Sequence, residues 1–146
     1  MEDIVYFNSH YAKTTHDYII DTIGGRPGIK DEGTLESCLE FLKNDAYYPT
    51  FERKLSRLVF SVTQFHMFED GNKRSAIALG TFFLRINDFD YCTDTFIEEM
   101  ENIVLWIANG FIDEELLTDI ITSIINENCI NEEIALKLSE IQKYLT

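Results

Sequence analysis

The residues best suited to chemistry lie together in one stretch, His66-Met67-Phe68-Glu69-Asp70-Gly71-Asn72-Lys73-Arg74-Ser75. A helical pattern runs before it and another follows it. The stretch therefore reads as a loop that ends at a helix N-terminus. Such a terminus offers unpaired backbone N–H groups and the positive end of a dipole, which suits phosphate. Asp70 could hold a divalent cation, Lys73 and Arg74 could hold phosphate oxygens, and His66 could take a proton. Those parts suit phosphoryl or nucleotidyl transfer from a nucleotide. Cations in a first helical turn oppose the dipole, so two of them there imply an anionic ligand.

The loop needs rigid elements on both sides. Upstream, Phe51, Leu55, Leu58, Val62 and Phe65 recur at helical spacing, with Thr50 as N-cap and Arg53, Lys54 and Arg57 on the other faces. Downstream, residues 72–86 are apolar on nearly every face, as expected of the central helix of a bundle. Further upstream, Tyr11, Tyr18, Ile19, Thr22 and Ile23 predict a helix over residues 10–23, which Gly24-Gly25 caps before Pro27. His10 and His16, with no second ligand at metal spacing, read as surface or boundary residues. Residues 24–30 form a loop with three glycines and two cations. It reads either as a plain turn or as a flap beside the site, with Gly25, Arg26 and Lys30 docking a target.

The remaining pattern is also helical. Residues 31–44 carry Leu35, Cys38, Leu39 and Leu42 on one stripe, and Tyr47-Tyr48-Pro49 breaks them. Ile4, Tyr6 and Phe7 suggest a short extended piece, and Phe89-Asp90-Tyr91 a brief extended link. Thr95 and Glu98 have capping-box spacing ahead of Phe96, Met100, Ile103, Val104 and Ile107. Asn109-Gly110 ends that helix. Asp113 caps the next, with Leu116, Leu117, Ile120, Ile121 and Ile124. Asn131 opens a last one, with Ile134, Leu138, Ile141 and Leu145 on one face. The expected fold is an all-α bundle of six or seven helices.

The 146 residues are the size of one domain, 1–146, and carry a net charge of −14. That balance disfavours direct nucleic-acid or anionic-membrane partners. No apolar run is long enough to span a bilayer, and the acidic start lacks the basic residues of a signal peptide. Cys38, Cys92 and Cys129, odd in number and without metal spacing, read as reduced, which implies a cytoplasmic protein.

The stretch HMFEDGNKR resembles the Fic/Doc family. The general pattern there is HxFx(D/E)GNGRxxR, and the Doc (death-on-curing) branch reads HxFxD(A/G)NKR. The similarity extends to Gly24-Gly25-Arg26-Pro27-Gly28 with Asp31, and to Phe82-Phe83-Leu84-Arg85. It covers about residues 5–125 and leaves an extra C-terminal helix, about 131–145, outside. The resemblance implies a Fic-type helical core and the toxin of a toxin–antitoxin pair, with a cognate antitoxin. It implies transfer of the ATP γ-phosphate to a hydroxyl of elongation factor Tu. The alternatives are transfer of AMP to Ser, Thr or Tyr of a target, or a binding module that has lost activity. A homo-oligomer stays open.

Carried over by residue, His66 is then the general base and Phe68 the loop's anchor. Asp70 holds Mg²⁺, and Gly71, Asn72, Lys73 and Arg74 bind phosphate. Lys73 stands where AMP-transferring relatives have a second glycine, which favours the kinase reading. The second arginine of the general pattern falls on Ile77. Ser123 and Glu127, in SIINEN, match the inhibitory SxxxE(G/N) pattern of self-inhibited relatives, whose glutamate pairs with that arginine.

Overall fold

The computed structural model describes residues 3–145, without the side chain of Leu145. Among the described residues seven α-helices follow one another: α1 (Ser9–Ile23), α2 (Glu32–Phe41), α3 (Phe51–Gln64), α4 (Asn72–Ile86), α5 (Thr93–Ala108), α6 (Glu114–Glu127) and α7 (Glu132–Leu145). The fold is all-α, as the sequence implies. No helix is long and apolar enough to cross a membrane among the described residues.

Several boundaries are set by side chains that satisfy the free N–H groups of a first turn. Thr50 accepts from the N–H of Arg53, Asp113 from that of Leu116, and Asn131 from that of Ile134. The capping box expected at Thr95 does not start α5. The chain enters that helix three residues earlier, with Cys92 at the N-cap position, from a 3₁₀ turn at Asp90–Cys92 that replaces the expected extended link. The hydroxyl of Thr93 bonds the carbonyl of Asp90 there, and Thr95 reaches across to the carbonyl of Asn128 instead.

Two helices share the centre. α4 packs on α1, α3 and α5, and α3 packs on α2, α4, α5 and α6. Leu55, Leu58, Val59 and Val62 of α3 meet Ala76, Leu79, Phe83 and Leu84 of α4 in the apolar core. Gly80 lets α5 close on α4, since a Cβ there would stand 2.7 Å from the ring of Phe96. No regular strand forms over residues 3–8. The Asn87 side chain pairs with both backbone groups of Val5, at 2.8 and 2.9 Å. Tyr6 and Phe7 then lie against Phe83, with centroids 6.0 Å away in each case.

Two sequence-derived faces are corrected. α1 buries Ala12, His16, Ile19 and Ile20, whereas Tyr18 and Ile23 are exposed. Lys54 does not face solvent: it is fully buried, and its Nζ donates to the Leu42 carbonyl and to Asp45, each at 2.8 Å. That pin fixes the loop between α2 and α3. α7 seats Ile134 and Leu138 in the core, and Leu136 and Tyr144 stay exposed.

Candidate functional site

The loop before α4 is held from inside by Asn72. Its side-chain Oδ1 accepts from the Phe68 N–H, and its Nδ2 donates to the Phe68 carbonyl, both at 3.0 Å. The expectation for Asn72 was phosphate binding. Both ends of the amide are engaged in a ring around the anchor residue, and the second hydrogen of Nδ2 is left over for a ligand. Phe68 itself is fully buried. On its face lies the imidazole of His16, centroid to centroid 4.0 Å and only 5° from parallel.

A second layer comes from the segment between α1 and α2. Ile29 bridges Phe68 as a single antiparallel pair. The N–H groups of Lys30 and Asp31 donate to the Met67 carbonyl, at 2.9 and 3.1 Å, and that of Glu69 to the Gly28 carbonyl at 3.1 Å. Residues 24–30 are therefore a flap laid along the loop, not a free turn. Arg26 adds two contacts: its N–H meets Asp70 Oδ2 at 3.1 Å, and its Nη2 meets the Glu69 carbonyl at 3.3 Å. Gly25 passes so close that a Cβ there would lie 2.8 Å from the same carboxylate oxygen.

Asp70 is consequently a fixed and ionised acid. The backbone N–H of Arg26, then that of Gly71, then the nearby Arg26 and Arg74 guanidinium groups hold its carboxyl below the usual aspartate range. It is no conventional side-chain N-cap, because the N-cap position of α4 is Gly71, in the left-handed region at φ 72°. A side chain there would be strained. His66, at φ 50°, is also left-handed, a conformation that costs a residue with a Cβ and that clusters at functional sites.

His66, Asp70, Lys73 and Arg74 are all exposed. Neither Lys73 nor Arg74 forms a hydrogen bond or an ion pair among the described residues, whereas Arg57 bonds Glu114 and Lys54 bonds Asp45. The loop thus presents one acid and two uncommitted cations at a helix start. An ionised, exposed carboxylate suits a hard cation such as Mg²⁺. No cluster of three metal-type side chains occurs among the described residues, so phosphate oxygens and water would complete the shell.

A Fic/DOC family model matches residues 6–84. The chain belongs to the Fic/DOC family. That span runs from the N-terminal aromatic pair through α1, the flap, α2, α3 and the loop to Leu84 of α4. Toxin Doc of Mycolicibacterium smegmatis is similar to the chain, at 29% identity over 89 residues that cover 58% of this chain and 68% of that relative. Ile77, which takes the place of the general Fic pattern's second arginine, is a half-buried residue packed against the core.

The residues matching the inhibitory pattern lie elsewhere. Ser123 Oγ donates to the Cys129 carbonyl at 2.7 Å and accepts from the Asn131 N–H at 2.8 Å, and Glu127 Oε2 stands 3.3 Å from it. They shape the α6–α7 turn. No hydrogen bond or ion pair joins them to residues 66–74 among the described residues. The thiols of Cys38 and Cys92 are pushed up by burial, away from the reactive thiolate form.

Sequence reasoning overlooked His16 as part of this site. The signal was the spacing of Ala12, His16, Ile19 and Ile20, which places the imidazole on the inward stripe of α1.

Proposed function

We propose that this protein is a Doc-type toxin that transfers the γ-phosphate of ATP to a hydroxyl of a target protein such as elongation factor Tu, and that a cognate antitoxin neutralises it. One observation carries the reading. Lys73 and Arg74 stand without ion pairs in the first turn of α4, one turn from a fixed, ionised Asp70, in a chain of net charge −14. A bound triphosphate would supply the missing counter-charge.

The chemistry follows from the chain's own groups. The acceptor hydroxyl gives its proton to a His66 ring nitrogen as its oxygen bonds the γ-phosphorus. The bond from that phosphorus to the β–γ bridging oxygen breaks, and ADP leaves. Lys73 and Arg74 balance charge on the transferred group, Arg74 through its fork of donors. The Gly71 backbone, free of a Cβ, allows close approach. Mg²⁺ held by Asp70 would neutralise phosphate charge. Lys73, a bulky cation in place of a glycine, favours a terminal-phosphate pose over AMP transfer, and the apolar Ile77 removes a further AMP-type contact.

The test uses ATP labelled on either phosphate. The γ label is expected to appear on the target, and the α label is not; α label on the target would replace this reading with AMP transfer. His66→Ala is expected to lower transfer by about 10²–10⁴-fold and to abolish growth arrest on expression. A variant as toxic as the parent would leave only a binding module.

A further inference from the structure

His16 is 1% exposed, yet its ring is polar on both sides. Nε2 lies 2.6 Å from the carbonyl oxygen of Asp70. A carbonyl only accepts, so Nε2 carries the proton. Nδ1 stands 3.9 Å from Asp17 Oδ1, beyond hydrogen-bond reach, and has no hydrogen bond among the described residues. A core that wanted only volume here would be served by an apolar ring stacked on Phe68. Burying an imidazole with one nitrogen unsatisfied costs free energy, so the Nε2 contact is the part that needs explaining.

The peptide unit between Asp70 and Gly71 explains it. The unit is planar and trans, so its C=O and N–H point in opposite directions. His16 draws the Asp70 oxygen toward the core. The Gly71 N–H is thereby turned outward, where it donates to Asp70 Oδ1 at 2.9 Å. Donation into the carbonyl also polarises the same peptide and strengthens its N–H as a donor. The left-handed φ of Gly71 is what lets the backbone make this turn, and a Cβ at Gly71 would stand 3.7 Å from His16 Nε2.

We infer that His16 is a positioning residue: through one rigid peptide it aims the Gly71 N–H at the Asp70 carboxylate and so fixes the acid that would hold the cation. Its functional meaning rests on the phosphate-transfer reading; its structural action does not. Arg26 holds the other carboxylate oxygen from the flap, so His16, through Gly71, and the flap each fix one oxygen of Asp70.

The test compares His16→Phe, which keeps the stack on Phe68 and loses the donor, with His16→Gln, which keeps a donor at similar reach and loses the stack. Two readouts are taken on the full chain. The first is the Gly71 amide resonance in ligand-free protein, which a charge-assisted bond shifts downfield. The second is ATP affinity with Mg²⁺ relative to ATP affinity in chelator. His16→Phe is expected to lose the downfield shift and about 10-fold or more of the Mg²⁺-dependent gain, the usual size for an outer-shell partner. His16→Gln is expected to keep both. A folded His16→Phe with the parent's Gly71 resonance overturns the positioning role. Should the phenylalanine variant not fold, loss of that resonance in His16→Gln overturns it and retention supports it. A parent that binds no nucleotide sinks the phosphate-transfer reading instead, while the Gly71 resonance still decides the role of His16.

Discussion

Two turns in this molecule are built alike and end differently. Before α4, the Asn72 side chain brackets the backbone of Phe68; after α6, the Ser123 hydroxyl brackets Cys129 and Asn131. Each is a small polar group that satisfies both a donor and an acceptor in a tight connection. Around Asn72, Lys73 and Arg74 stay unpaired and Asp70 is fixed in its charged form. Around Ser123, the nearest charge, Glu127, turns back onto the same hydroxyl. The polar hub gives shape in both places. What separates the candidate site from the joint is two adjacent cations in a helix's first turn beside a fixed acid, where the α6–α7 turn has Asp119 on one helix and Glu133 and Lys137 on the other.

The largest effect expected of this contrast is at Phe68. Truncation to Ala removes a fully buried ring and should cost about 3–5 kcal/mol, read by denaturant unfolding, with nucleotide binding lost alongside. Binding that survived at full strength would mean the loop needs no anchor. Next come the hubs themselves. Asn72→Ala orphans the backbone groups of buried Phe68 and should cost about 1–3 kcal/mol, whereas Ser123→Ala frees partners at an exposed Cys129 and a half-buried Asn131 and should cost about 0.5–1.5 kcal/mol. Only the first should lower phosphate transfer per folded molecule. Raised transfer in Ser123→Ala or Glu127→Ala would return the C-terminal turn to the inhibitory role its sequence suggests.

Smaller still is Arg26→Ala. It keeps the backbone N–H on Asp70 and loses the guanidinium contact to Glu69, so target modification should fall several-fold more than nucleotide binding. Equal losses would remove the docking role of the flap. The smallest effect concerns pH. The depressed Asp70 carboxyl contributes stability above its unfolded-state pKa and loses it as pH falls through the lower folded value. Its contribution is thus intact at neutral pH and disappears only in acid. Asp70→Asn should flatten that acid limb in denaturant midpoints measured against pH.

The helical bundle was legible because apolar spacing and caps agree over most of the chain. Thr50, Asp113 and Asn131 cap where their types suggest. The phase of α1 was misread because Tyr18 and Ile23 are apolar but point outward, while the polar His16 points in. The spacing of Ala12, Ile19 and Ile20 marks the inward face that His16 shares, but its partner, Asp70, lies 54 residues away in sequence and is visible only in the fold. The same limit hid Lys54, whose buried ammonium depends on the α2–α3 loop. In the site, the residue types of the loop were plain in sequence, but their division of labour was not. Asn72 and Arg74 sit two positions apart in one helical turn, and only contacts reveal that Asn72 brackets the Phe68 backbone while the Arg74 side chain makes no hydrogen bond among the described residues.

The absent Cβ of Gly25 has a mechanical consequence. With backbone rather than side chain against Asp70, and with Gly28, Lys30 and Asp31 stitched to the loop, residues 24–31 lie flush along the acid and the loop beside it. Whatever lifts that segment takes the Arg26 N–H from one carboxylate oxygen and leaves the Gly71 N–H on the other, so the acid is loosened at one end while it stays tied to the helix that carries the cations.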